Sequence, residues 1–305
     1  MKAIIVEKFK HPRTVLSIPE RPSGNKRSSV LLKRTSRSLF HGRPVMRSLS
    51  PCLVGAIVGS ALSTFLSARE LTVPILVYHR FGPVRGDSMT VTTDHFKQQM
   101  DLLRENNFSV VSLSSFVAWR LGIGPAPPPK SVVLTFDDGH VSVYREARSI
   151  VIKGRIPVTL FIYPSCISHA SYSMTWEELT ELAATHFFTI QSHTFWHPNF
   201  KQEAKKLDQS AYAAFVDWQL RRSKAVLEEK LKRPVDLLAW PFGIYDPYLM
   251  KRARSIGYEA SFSIECRAAT ASDPLMALPR CLVSDEDVGP RFLRFINSAI
   301  RSARN

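Results

Sequence analysis

With 305 residues, 45% of them hydrophobic and 22% charged, the chain is too apolar to be disordered and long enough for one large or two ordinary domains. Its formal charge of +15 would point to nucleic acid if it were spread evenly, but residues 1–50 hold twelve Lys or Arg against Glu7 and Glu20, a net +10, leaving +5 for the other 255. The basicity belongs to a tail, and no nucleic-acid partner is expected for the body of the chain.

The tail leads into an apolar run of fourteen uncharged residues, 53–66, shorter than the roughly 20 needed to span a bilayer. A chain begun at Met46 would read as a short basic flank, an apolar core and small residues at Ser67 and Ala68, the pattern of an export signal. The expected organisation is therefore 1–45, basic and upstream of the true start or disordered; 46–69, a signal peptide or membrane anchor; and 70–305, one catalytic domain. This places the mature chain outside the cytoplasm, as a periplasmic, inner-membrane-anchored or secreted protein, with possible attachment through 53–66. Cys166, Cys266 and Cys281 follow the signal, an odd number that allows at most one disulfide in a monomer, and no cysteine pair has metal-ligand spacing.

From residue 72 onward, apolar runs alternate with amphipathic ones. "VPILVYHRF", "FSVVSL", "SVVLTFDD", "PVTLFIYP", "FFTIQSHT", "VDLLAWPF" and "YEASFSIE" read as strands. Helical patterns fall on "TTDHFKQQMDLLREN" and "SSFVAWRLG", and on residues of about 141–154, 175–186, 207–231, 246–257 and 288–302. Apolar strands separated by helices predict an α/β fold with a parallel sheet, closed or nearly closed as a barrel whose chemistry sits at the C-terminal strand ends. "GIGPAPPPK" is a surface connector, and no internal repeat is present.

The polar residues gather at those ends: His79 after "ILVY", Asp137 and Asp138 after "VVLTF", His193 after "FFTIQS". Adjacent carboxylates ending a buried strand repel and resist desolvation, so a cation or a proton is expected between or beside them, although Asp-Asp-Gly alone is ordinary turn chemistry. His197 follows His193 by four; if the segment is helical, both rings share a face and chelate one ion. Two His and a carboxylate with open positions make a hydrolytic divalent-metal site. Any one of these histidines alone would more often be structural; His95, His140, His169 and His186 are read as surface residues. The acidic run "SDEDVGP" is read as the start of the last helix.

These residues resemble the polysaccharide deacetylases with the NodB homology domain, carbohydrate esterase family 4. "TFDDG" at 135–139 and "HTFWH" at 193–197 match its first two motifs, and "AWPFG" at 239–243 stands where the third lies. "PILVYHRFG", "FKQQMDLLRENNFSVVSL" and "MTWEELTEL" resemble the branch acting on the N-acetylglucosamine polymer of biofilms. The resemblance covers about residues 72–300 and implies a distorted (β/α)7 barrel. It implies Asp138, His193 and His197 as ligands of a divalent metal, zinc or else cobalt, nickel or manganese, with Asp137 as general base and an acetylated glycan as substrate. Gly139 is expected to turn the chain so that both carboxylates reach one site. Two departures stand out. The third motif lacks its Arg, for which Arg280 in "ALPRCLV" is the nearest replacement, and the late strand has no His, which leaves His79 as proton donor. Aromatic residues collect near the rim, Phe195 and Trp196 among them. Trp240, Pro241, Phe242 and Tyr245 are expected to bind sugar, led by Trp240. Other outcomes of the same reading are a peptidoglycan or chitin-oligosaccharide substrate, or a catalytically inactive glycan-binding module.

Overall fold

The computed structural model describes residues 71–303, so the basic tail and the apolar run expected to direct export lie outside the described residues. In chain order the first half contains β1 (Ile75–Tyr78), β2 (Arg80–Gly82), β3 (Thr90–Thr92), α1 (Thr93–Glu105), β4 (Ser109–Val110), α2 (Leu113–Arg120), β5 (Ser131–Asp137), α3 (Arg148–Gly154) and β6 (Val158–Ile162). The second contains α4 (Trp176–Ala184), β7 (Phe188–Ser192), α5 (Phe200–Glu203), α6 (Gln209–Leu231), β8 (Leu237–Ala239), α7 (Pro247–Ile256), β9 (Ala260–Phe262), β10 (Cys281–Leu282) and α8 (Gly289–Ser302).

Seven parallel strands run in the order β10-β1-β5-β6-β7-β8-β9, with β4 paired only to the start of β5. Because successive side chains point to opposite faces, each strand feeds two cores. Leu76, Tyr78, Leu134, Phe136, Leu160, Ile190 and Leu238 pack under the surrounding helices. Ile75, Val133, Phe161, Leu237, Ala239 and Phe262 form an inner cluster with Leu113, Phe116 and Val117 of α2, which fills the barrel from the end where the strands begin.

The sheet curls until its edges meet through a loop rather than a full strand. Ser263 N donates to Leu278 O at 2.8 Å and Leu278 N to Ser261 O at 2.8 Å, joining the end of β9 to the segment that enters β10. This is the distorted (β/α)7 barrel that the strand pattern and the resemblance predict. A disulfide between Cys266, just after β9, and Cys281, on β10, crosses the same seam. Cys166 is a buried free thiol.

Several expectations need correction. "VPILVYHRF" is two strands: β2 breaks away after His79 and pairs with β3 in a separate ribbon. "FSVVSL" contributes only the two residues of β4. The acidic run does not begin the last helix, whose first turn carries no acidic residue. Instead Asp285 accepts from Thr92 N at 2.7 Å and meets His95 Nδ1 at 2.8 Å, while Asp287 accepts from Ser284 N at 2.8 Å. His169 and His186 are exposed, whereas His95 and His140 are half-buried, the latter bonded to Ser142 Oγ at 2.8 Å.

Candidate active site

The alternation of β5 sends Val133, Thr135 and Asp137 toward the barrel interior, and the chain then turns sharply. Asp138 has φ 74° and Gly139 φ 79°, so the left-handed turn begins one residue before the glycine expected to make it. Asp is among the few residues that enter this region at modest cost, and its carboxylate swings to the strand end beside Asp137. At Gly139 a Cβ would come within 3.0 Å of Ile162 Cδ1, so there the glycine answers a steric need as well.

His193 and His197 meet Asp138, but not on a helix. Thr194 and His197 have φ 64° and 63°, and the "HTFWH" segment is a loop that coils on itself. Thr194 Oγ1 accepts from His197 N at 3.2 Å, and Gln219, fully buried on α6, accepts with Oε1 from Phe195 N at 3.2 Å and Trp196 N at 3.1 Å. These bonds bring the two imidazole centroids to 4.6 Å.

His193 Nε2 lies 3.6 Å and His197 Nε2 3.7 Å from Asp138 Oδ1, and the three atoms all fall within 4.8 Å of one another. Bonds of about 2.0–2.2 Å to a shared ion span such separations. Burial is the main cause that pushes both imidazoles down to about 4, against the opposing pull of Asp137, so they are neutral at neutral pH. These contacts are therefore not ion pairs. His193 Nδ1 lies 2.8 Å from Ala239 O and donates to it, which fixes the tautomer and leaves the Nε2 lone pair facing Asp138. Asp138 Oδ1 is buried without a hydrogen-bond partner. Two neutral nitrogen acceptors and an orphaned carboxylate oxygen directed at one point are the donor set that a divalent cation satisfies.

Asp137 stands beside this set, its Oδ2 3.9 Å from His193 Nε2, and is claimed by Arg280. The guanidinium, fully buried, donates from Nη1 to Oδ1 at 2.9 Å and from Nη2 to Oδ2 at 2.7 Å. Its own orientation is fixed by Nε on Ser263 O at 3.0 Å and Nη1 on Thr135 Oγ1 at 3.2 Å. Burial would raise the Asp137 carboxyl, but Arg280, with His193 and His79 nearby, overcomes it and holds the pKa at about 2. The carboxylate is ionised at any working pH and presents a fixed face. His79, which follows β1, is near enough for its charge to act on both Asp137 and His197, and its buried Nδ1 has no hydrogen-bond partner.

The aromatic expectations fare unevenly. Trp240 is fully buried, with Nε1 donating to Ser261 Oγ at 2.9 Å, and Pro241 is buried too, so neither offers a ring to a ligand. Trp240 shares the outward parity of Leu238 and packs under the helices. Phe242 is 51% exposed with its ring 4.5 Å from that of His197. Tyr245 is half-buried and donates to Glu265 Oε1 at 2.7 Å. Tyr163, which the sequence reading passed over, flanks His197 at 5.5 Å; its place just after β6 was the available signal. Gln219 and the Ala239 carbonyl carried no such signal.

Residues 124–261 match the family model described as Polysaccharide deacetylase. The chain is 27% identical over 226 residues to YxkH of Bacillus subtilis (strain 168), covering 74% of this chain and 76% of that protein. It is 24% identical over 201 residues to the poly-beta-1,6-N-acetyl-D-glucosamine N-deacetylase of Staphylococcus aureus (strain MRSA252), covering 65% and 69%. Of solved structures, IcaB from Ammonifex degensii superposes with a TM-score of 0.64 at 25% identity, over 74% of this chain and 97% of that one. The two metal-site motifs, the curled parallel barrel and these relatives agree: the chain carries a polysaccharide deacetylase domain, matched over residues 124–261, on the NodB homology fold.

Proposed function

We propose that this enzyme removes N-acetyl groups from an N-acetylglucosamine-containing polysaccharide outside the cytoplasm. The observation that carries the reading is the convergence of Asp138, His193 and His197 beside an ionised Asp137 gripped by Arg280. The substrate is drawn from the activity that the Staphylococcus aureus relative's name prints.

Asp138, His193 and His197 would hold a divalent first-row cation, for which zinc is the first candidate. When bound, that ion would supply Lewis-acid activation of the acetamide carbonyl and would lower the pKa of a water beside it. The residues of the chain supply the rest. Asp137 accepts the proton that water loses as its oxygen adds to the carbonyl carbon. Arg280 positions that carboxylate and trades basicity for a fixed orientation. His79 delivers a proton to the nitrogen as the carbon–nitrogen bond breaks, so that acetate and a primary amine leave. Phe242 and Tyr245 stand at the rim on the sugar's side.

Export is supported by the basic flank and apolar run of the sequence and by the Cys266–Cys281 disulfide, since such bonds persist in oxidising compartments. An alkaline phosphatase fusion after residue 70 should be active; an intact but inactive fusion would refute the location.

The decisive assay measures acetate and primary amine released from poly-β-1,6-N-acetylglucosamine, chitin oligosaccharides and peptidoglycan by metal-loaded protein. Release from the first is expected. His193→Ala and Asp138→Ala should lose metal and turnover together, whereas Asp137→Asn keeps the metal and loses turnover. No release from any glycan would leave a glycan-binding module, and release from another one would change the substrate.

A further inference from the structure

Beyond the reacting sugar, an unusual surface begins one residue from a metal ligand. Trp196, next to His197, is 42% exposed, and its ring lies 5.6 Å from Phe215 and 5.9 Å from Trp218. Trp218 is 37% exposed and meets Phe195 at 4.8 Å. The series continues from Phe215 to Tyr212 at 6.4 Å and from Tyr212 to Tyr248 at 6.1 Å, the last 38% exposed. Tyr212, Phe215 and Trp218 recur every three residues along α6, so they form one stripe, while Val216, Leu220 and Leu227 of the same helix face the core. Helix α6 is thus apolar on two sides, and the outward one is aromatic.

Such a stripe is costly in water unless something covers it. Exposed aliphatic side chains of the described residues, such as Val84 and Ile123, lie elsewhere in the chain, and the rings here are interspersed with charge: Arg222 lies over Phe195 at 5.9 Å, and Asp217 pairs with Arg252 through Nε at 2.7 Å. Flat rings alternating with hydrogen-bonding groups fit pyranose chains, which present an apolar C–H face and a rim of hydroxyls, and the stripe begins at Trp196, beside the ligand His197, where a chain held for reaction has to run.

We propose that the Trp196–Trp218–Phe215–Tyr248 surface on α6 and α7 binds the glycan chain beyond the sugar being deacetylated, making the enzyme select long polymers over short oligosaccharides. This rests on the deacetylase reading above, and direct binding separates the two. In an Asp137→Asn background, which leaves the polymer intact, affinity electrophoresis through soluble poly-β-1,6-N-acetylglucosamine should show Trp218→Ala/Tyr248→Ala weakened about tenfold. Trp218→Phe, which keeps a ring, should retain binding, so that loss cannot be laid to misfolding. With Asp137 present, the double variant should raise KM for polymer with kcat unchanged and leave KM for the disaccharide alone. Unchanged polymer binding by the double variant would overturn the proposal, as would an equal loss on both substrate lengths. Loss of binding to phosphatidylglycerol vesicles alone would also overturn it, by assigning the surface to a membrane. Ring-dependent polymer binding without turnover in the wild type would uphold the surface and sink the deacetylase reading instead.

Discussion

Replacing Arg280 with Met tests the heart of the site, because it leaves the Asp137 carboxylate inside the barrel without its counter-ion. In the native chain that carboxyl is held down from 3.8 to about 2; at about 1.4 kcal/mol per unit this contributes about 2 kcal/mol to stability at neutral pH. The folded value is depressed, so the contribution is present above 3.8 and is lost as pH falls toward about 2. In the variant, burial has no guanidinium to oppose it, and the folded pKa rises above its unfolded value. The sign then reverses, and stability is lost as pH climbs through the carboxylate range. Removing one partner of a buried pair costs about 3–5 kcal/mol, on the order of 10 °C in melting for a domain of this size. The assay is thermal unfolding from pH 3 to pH 7, with chelator present so that metal does not enter. The gap between wild type and Arg280→Met should widen as pH rises, and adding Asp137→Asn should recover part of it. A variant that melts with the wild type at pH 7, or a gap that does not change with pH, would refute the buried pair.

His79→Asn should cut turnover roughly 10² to 10⁴-fold with metal content and melting unchanged, as loss of a proton donor requires; an unaltered rate removes it from the mechanism. Gln219→Leu strips the acceptor from Phe195 N and Trp196 N and should lower metal affinity about 10–100-fold, read by competition with a chromogenic chelator, although Gln219 touches no ligand atom. Cys281→Ser should cost about 3 kcal/mol for a cross-link spanning 15 residues, and reductant should lower the wild-type midpoint by a similar amount while leaving the variant unmoved.

Much of this was legible where residue type and strand position speak together. Asp137, Asp138 and His193 stand directly at predicted strand ends, where two adjacent carboxylates call for compensation that Arg280 supplies to Asp137. Arg280 was reached as a replacement, and its bidentate grip on Asp137 comes from barrel closure, a relation between residues 143 positions apart that periodicity does not report. The four-residue spacing in "HTFWH" brings two histidines together as a helix would, but the turn that does so is imposed by Gln219 from a distant helix, which spacing does not report. Trp240 was misassigned by identity. The parity of Leu238 and Trp240 against Ala239 already turned the ring outward under the helices, so alternation outranked aromatic character. The acidic run before α8 was read as serving that helix, and instead it ties down Thr92 and His95.

The seam between β9 and β10 has a consequence for how the enzyme comes into being. Since β10 lies between β1 and the end of β9, the first and last strands are neighbours, and Arg280 reaches Asp137 only after nearly the whole chain is available. The segment 124–261 holds all three residues of the candidate metal site yet lacks His79 and Arg280. A chain emerging from the ribosome therefore carries its metal-site residues before Arg280 exists, and Asp137 gains both its burial and its counter-ion only when the last strand docks. Contacts of such long sequence separation form slowly, so the nascent chain stays open during synthesis and acquires the proposed chemistry last.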